Sequence, residues 1–339
     1  LANDTVRSGG TFGWNWLTDL GSDFMTSYSF YLWGSPFFWL SAALPRSLVT
    51  FSMPLLLATK HGIASLTAYA YIRRFVRSKN AALIGGILYA SSGFQAYNIF
   101  FNHFQDVTAF FPLMLIAMEE NINNGKKGIF ALTVAFMAIL NSYFFAGQAV
   151  FLVLYYLIRM SSPDFRTSWK KFFGLASEAI IGALIAGFVL VPSALAIISN
   201  QRVSNFAYGA DMVIYSDKTL IPRIIQSFFM PPDTPVSPNL FVSDYGKWAS
   251  IGGYLPLFSM AGVISFIRYK KKHWAKFLMP IMLLFALIPV LNASFVLFNN
   301  NYYTRWFYMP ILIGCFMTAY ALEDDSIDIR YGLKWCALA

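Results

Sequence analysis

Two ionisable side chains stand where few belong. Lys60 and His61 sit near the middle of the apolar run Met53–Ile72. A charge in such a run is costly and faces a bundle interior or a water-filled cavity. A lysine near the end of a span escapes by snorkelling, but the midpoint is too deep for that. An ammonium buried there can pair with a carboxylate, or hold a phosphate as a point charge. The second constellation is Asn102-His103-Phe104-Gln105-Asp106, a very short turn between two apolar runs. An imidazole and a carboxylate three residues apart share one helix face. Asp106 suits a general base that takes a proton from an acceptor hydroxyl, with His103 assisting or holding a phosphate. It equally suits the cap of the next helix, where Asp is favoured. The two roles are compatible.

Three further groups carry chemistry by type. Tyr302-Tyr303-Thr304-Arg305-Trp306 opens the last long apolar run. Arg305 can grip a phosphate bidentately, or anchor at headgroup level among its aromatic neighbours. Asn141-Ser142-Tyr143 ends another run; Asn141 can bond between helices, and Tyr143 fits an interfacial aromatic belt. Asp19 and Asp23 can bind a cation or move a proton, although acids in such loops mostly face solvent. Glu119 and Glu120 stand beside Lys126 and Lys127 and read as a solvated rim, and Glu178 as interfacial. There is no Gly-rich P-loop, no HExxH and no CxxC pair, so neither ATP-driven work nor a conventional zinc site is expected. The sequence calls for no cofactor and leaves room for a divalent cation.

The elements that must position these groups follow from composition. Of 339 residues, 57% are hydrophobic, 12% charged and 18% aromatic. The charged share is about half that of a soluble domain, which excludes a disordered chain and an ordinary cytosolic enzyme. With two cysteines, Cys315 and Cys336, a disulfide framework is excluded too. The expectation is an all-α polytopic integral membrane protein. A span needs about 20 apolar residues. Nine segments are candidates, near 52–72, 80–101, 106–122, 128–145, 146–160, 172–198, 251–269, 277–297 and 306–322, the third and fifth short or interrupted.

Basic residues orient them. Seventeen fall on one set of loops: Arg73, Arg74, Arg77, Lys79, Lys126, Lys127, Arg159, Arg166, Lys170, Lys171, Arg268, Lys270, Lys271, Lys272, Lys276, Arg330 and Lys334. Seven fall on the other: Arg7, Arg46, Arg202, Lys218, Arg223, Lys247 and Arg305. The first set is expected to be cytoplasmic. The net charge of +9 is then topological, and nucleic acid is not an expected partner. The organisation reads as an outer loop with a re-entrant or interfacial helix (1–50), spans one to six (51–198), an extracytoplasmic loop (199–250), spans seven to nine (251–322), and a cytoplasmic loop with the start of another span (323–339). Five prolines break the centre of the long loop; Ile221–Met230 suits a short amphipathic helix on the membrane. The polar start at Leu1 and the apolar end read as a fragment of a larger protein.

An ordered set of motifs then resembles a known family. It runs Leu20-Gly21, Tyr31 with Ser35-Pro36-Phe37, Pro45, Lys60, Leu66-Thr67-Ala68-Tyr69, Tyr89-Ala90-Ser91-Ser92-Gly93, Asp106, Phe111-Pro112-Leu113 and Asn141-Ser142-Tyr143. It resembles the YfhO family of bacterial membrane proteins, grouped with the GT-C glycosyltransferases, most clearly over residues 20–160 and at Tyr303–Trp306. The resemblance implies a multi-pass enzyme of the bacterial cytoplasmic membrane with its site facing outside. It implies transfer of a sugar from a polyprenyl-phosphate carrier to a cell-envelope polymer such as teichoic acid, with membrane lipids as surroundings. It further implies that Asp106 matches a second acidic position, the first lying upstream of an outer Gly-rich stretch that includes Leu20-Gly21. A transporter or flippase of a lipid-linked precursor, and a non-catalytic scaffold, are the alternatives from other classes. A transporter would show a polar route through the bilayer, whereas only Lys60 and His61 lie deep in the sequence pattern.

Overall fold

The structure, a computed structural model, describes residues 2–9, 13–16, 21–23, 32–198, 208–232, 249–298 and 302–338. Helix dominates. The helices are α1 (Ala2–Ser8), α2 (Pro36–Ala43), α3 (Arg46–Ile72), α4 (Lys79–Ala90), α5 (Gly93–Tyr97), α6 (Asn102–Asn124), α7 (Ile129–Leu140) and α8 (Ser142–Arg159). After them come α9 (Trp169–Ile185), α10 (Gly187–Ile198), α11 (Leu220–Gln226), α12 (Met260–Tyr269), α13 (Trp274–Leu287), α14 (Pro289–Ser294), α15 (Tyr308–Glu323) and α16 (Ile329–Leu338). A two-residue antiparallel ribbon pairs Trp14 with Asp23 and Asn15 with Ser22.

Local signals set most boundaries. Ser78 caps α4 by accepting from the Ala81 amide, and Asn141 caps α8 by accepting from the Phe144 amide at 3.1 Å. Such caps satisfy amides that the first helical turn leaves without partners. Gly125, left-handed at φ 67°, ends α6. The same signals break several expected spans. The 80–101 segment is interrupted at Ser91-Ser92 and finishes as a short helix and a 3-10 turn over Asn98–Phe100. The boundary expected near 145 falls at Asn141, whose extended backbone (φ −161°) starts a new helix. Of 251–269 only Met260–Tyr269 is helical, and 172–198 bends by 69° between α9 and α10. Among the described residues, one helix, Ser142–Arg159, is long and apolar enough alone to cross a membrane, or two spans if the bent pair counts as one. The nine-span expectation is therefore met in helical character and not in span count. The two longest helices, α3 and α6, carry Lys60, Asp106, Glu119 and Glu120.

The core sits around α15, whose residues Tyr308–Ala319 are all buried. Helix α3 packs between α4 and α6; Ala64 and Ala68 are fully buried there, and Thr67 donates to the Ala109 carbonyl at 2.7 Å. Small residues let such backbones approach closely.

The end expected to be cytoplasmic corrects two readings. Glu119 is no solvated rim: it is 2% exposed and takes two bonds from Arg159, at 2.7 and 2.9 Å, and one from the Tyr155 hydroxyl. Arg159 is fully buried among the rings of Phe75, Phe165 and Trp274 and also holds Asp164 at 2.9 Å. Glu178 is likewise buried. It accepts from Asn121, the Gly128 amide and the Ala131 amide, so it serves the start of α7. A helix N-terminus favours such a carboxylate. Only Glu120 keeps the expected surroundings, paired with Lys126 at 2.8 Å and with Arg74.

Candidate active site

Asp106 lies in the second turn of α6, one turn after Asn102. Residues four apart on a helix are neighbours, so both side chains turn toward α3. There Lys60 meets them. Its Nζ lies 2.6 Å from Asp106 Oδ1, donates to the Asn102 carbonyl at 3.1 Å and to the Asn102 side-chain oxygen. The ammonium thus donates to both oxygens of Asn102 and forms an ion pair with Asp106. Lys60 is 4% exposed and Asp106 2% exposed. The expectation that Lys60 is buried and paired rather than snorkelling is what the geometry gives. Asp106 is not the helix cap: the Ncap residue is Phe101, without a side-chain cap bond.

The other oxygen of Asp106 accepts from the hydroxyl of Ser35, which precedes α2. Phe37, also on α2, lays its ring 5.1 Å from Lys60 Nζ and against Phe110 of α6. A carboxylate, an ammonium, a hydroxyl and an amide from three elements thus meet in one buried cluster.

Arg305 stands at the same end of α6. Its guanidinium lies 4.2 Å from the centre of the Tyr303 ring, 5.2 Å from Phe104 and 5.8 Å from Tyr143. Among the described residues no carboxylate pairs with Arg305, and its Nε is buried without a hydrogen-bond partner. A guanidinium held by aromatic faces keeps its donors available for an anion. Its backbone is fixed on both sides. Thr304 donates its amide and its hydroxyl to the Ala249 carbonyl, each at 2.8 Å. Trp306 stacks on Phe295 at 4.2 Å and donates its indole N–H to Asn292 at 3.1 Å. His103, in the first turn of α6, sets its ring against Phe101 and Phe104.

The expected residues therefore fall into groups. Asp106, Lys60, His103, Arg305, Tyr303 and Tyr143 cluster at one end of the bundle. Asn141 is nearby but engaged: buried, with its side-chain oxygen capping α8. Asp23 is in the short ribbon through its backbone, and Asp19 lies outside the described residues. Among the described residues no three His, Cys, Asp or Glu side chains gather to hold a metal. Two members were missed. In the sequence Ser35 stands out only as part of a family motif, and Asn102 as part of a turn. The one available signal was that Asn102 stands four residues before Asp106.

Near the cluster, buried polar groups bond to one another. Gln105 donates to the Gln95 carbonyl, Gln95 to Thr108 and Tyr89 to the Thr108 carbonyl. Such mutual bonding is what an apolar interior demands.

No curated protein and no solved structure matches the chain. A family model described as "Bacterial membrane protein YfhO" matches residues 2–338. With nearly every residue inside that match, this is a chain of the YfhO family of bacterial membrane proteins.

Proposed function

We propose that the chain carries the transfer site of a GT-C-like glycosyltransferase. It moves a sugar from a polyprenyl-phosphate carrier to a hydroxyl of an extracytoplasmic cell-envelope polymer, such as teichoic acid. The observation that carries the reading is the ion-paired Asp106 at the same helix end as Arg305, a cation with no carboxylate partner among the described residues. Sugar transfer from a phosphate needs those two functions side by side. A base takes the proton of the acceptor hydroxyl as its oxygen bonds the anomeric carbon. The bond from that carbon to the phosphate oxygen breaks, and its electron pair leaves on the phosphate. A fixed cation is worth most where that charge develops.

Asp106 is the base in this reading, and Arg305 takes the phosphate. Lys60, which donates to Asn102 and ion-pairs with Asp106, is the counter-ion that orients the base. His103 flanks the phosphate position, and Tyr303 and Tyr143 hold Arg305 and offer faces on which a sugar ring can stack.

The test uses the full-length protein in liposomes. Polyprenyl monophosphate hexoses with radiolabelled sugar are supplied with a teichoic-acid-type acceptor, and wild type is compared with Asp106→Asn. The asparagine oxygen still accepts from Lys60, so folding is expected to survive. Label is expected in polymer with wild type only, a loss of at least about a hundredfold in the variant. Undiminished turnover in Asp106→Asn removes the base. Movement of labelled carrier across the bilayer without sugar transfer replaces the transferase with a transporter.

A further inference from the structure

We infer that Ser35 is a positioning residue for Asp106, and that α2 sets the geometry of the base. This rests on the transferase reading above. A carboxylate on a helix turns about its last bond unless both oxygens are held. Lys60 of α3 holds one oxygen of Asp106, and Ser35 holds the other.

The serine hydroxyl is itself fixed. It has one proton and two lone pairs. One lone pair accepts from the Phe38 amide at 3.1 Å, which caps α2. The proton then points at Asp106. The Ser35 amide donates to the Leu32 carbonyl at 3.0 Å, and the residue is 1% exposed. Gly34 locks the turn in place. Its Cα is pressed on the end of α7, where an added Cβ would overlap the Ile139 carbonyl and lie 2.6 Å from Leu140 Cα. A side chain at position 34 would push Ser35 off its seat. The chain thus leads from the α7 backbone through Gly34 and Ser35 to the carboxylate. Held geometry of this kind matters because a displacement of about 1 Å in a reacting group costs about a hundredfold in rate.

Capping α2 and orienting Asp106 are separable roles. Glycine replaces serine at a helix cap with little loss, alanine does not, and threonine keeps the hydroxyl. Ser35→Gly, Ser35→Ala and Ser35→Thr are compared with wild type and Asp106→Asn in the full-length protein in liposomes. The donors and acceptor are those of the transfer assay. The expected result is a fall in kcat of about tenfold to a hundredfold for glycine and alanine alike, with donor KM unchanged. Threonine is expected to recover most of the rate. Infrared difference spectra give a readout independent of turnover: the carboxylate band absent from Asp106→Asn is expected to shift in Ser35→Gly and hold its place in Ser35→Thr.

Wild-type kcat in Ser35→Gly, with Asp106→Asn inactive, overturns the positioning role and leaves the transferase standing. A defect in alanine alone assigns Ser35 to the cap and overturns it as well. An unshifted carboxylate band in Ser35→Gly does the same. Full activity in Asp106→Asn removes the base itself, and the inference falls with it.

Discussion

Replacing Lys60 by methionine leaves the Asp106 carboxylate buried beside an apolar side chain. Removing one partner of a buried ion pair costs about 3–5 kcal/mol, since the remaining charge is uncompensated. Replacing both by neutral groups costs far less. Lys60→Met is therefore expected to lower the unfolding midpoint in detergent more than Asp106→Asn does, and the double variant is expected to recover most of that loss. If Lys60→Met unfolds like wild type while donor affinity drops, Lys60 is a phosphate ligand and not a counter-ion. At this scale the sequence was legible wherever a charge stood in an apolar run, because such a charge must have a partner. Lys60 stands out that way, Asp106 by its place in a very short turn between two apolar runs, and Arg305 as the basic residue of its outer loop. The partner of Lys60 was not, since no spacing relates residue 60 to residue 106. Ser35 was hidden for the same reason. Glu119 was misread because its neighbours in sequence, Lys126 and Lys127, are not its partner; Arg159 reaches it from another helix.

Elements are positioned by caps, and one cap can titrate. His273 stands in the loop before α13, and its Nδ1 accepts from the Ala275 amide at 3.2 Å. Its pKa is pushed down to about 4, first by burial among Phe266, Trp274, Phe316 and Tyr320 and then by the charges of Arg159 and Lys270, against the opposing pull of Asp164. The unfolded chain has the ordinary value of about 6.5. Between those values the unfolded state binds the extra proton, so stability rises with pH. The contribution is complete above about 6.5 and is lost as pH falls toward 4. A protonated Nδ1 also cannot accept, so the cap fails with the charge. His273→Asn keeps a cap acceptor without a titrating group. Its unfolding midpoint is expected to depend less on pH than wild type across this window; equal slopes assign the dependence to the carboxylates. Helices were legible from apolar runs, and their breaks less so. Asn141 and Ser91-Ser92 end helices through backbone conformation that hydropathy does not register, and the break at 251–259 follows from packing: the Gly93 amide donates to the Tyr254 carbonyl at 2.7 Å.

The whole molecule has two ends, and charge distinguishes them. The loops with most basic residues converge in space. Arg74 meets Glu120, the Arg166 amide donates to Asn123, Lys171 Nζ donates to the Ile122 carbonyl, and Lys270 pairs with Asp324 at 2.5 Å. Ser35, Lys60, Asp106, Tyr143 and Arg305 gather away from these loops. The partition was legible in sequence because loop charge is set by insertion, not by packing. It predicts a sidedness on which the transfer reading depends, for the carrier must meet Asp106 and Arg305 on the outer face. Cysteines introduced singly, with Cys315 and Cys336 replaced by serine, test it. Lys127→Cys and Lys271→Cys lie in exposed loops of the basic end; Tyr208→Cys and Val213→Cys lie exposed in the long loop between α10 and α11. A membrane-impermeant maleimide added to intact cells is expected to label positions 208 and 213 at once. Positions 127 and 271 should react only after the membrane is permeabilised. The reverse pattern would turn the molecule over and put Arg305 and Asp106 against the cytoplasm, where a base and a cation of this kind could not serve an extracytoplasmic acceptor.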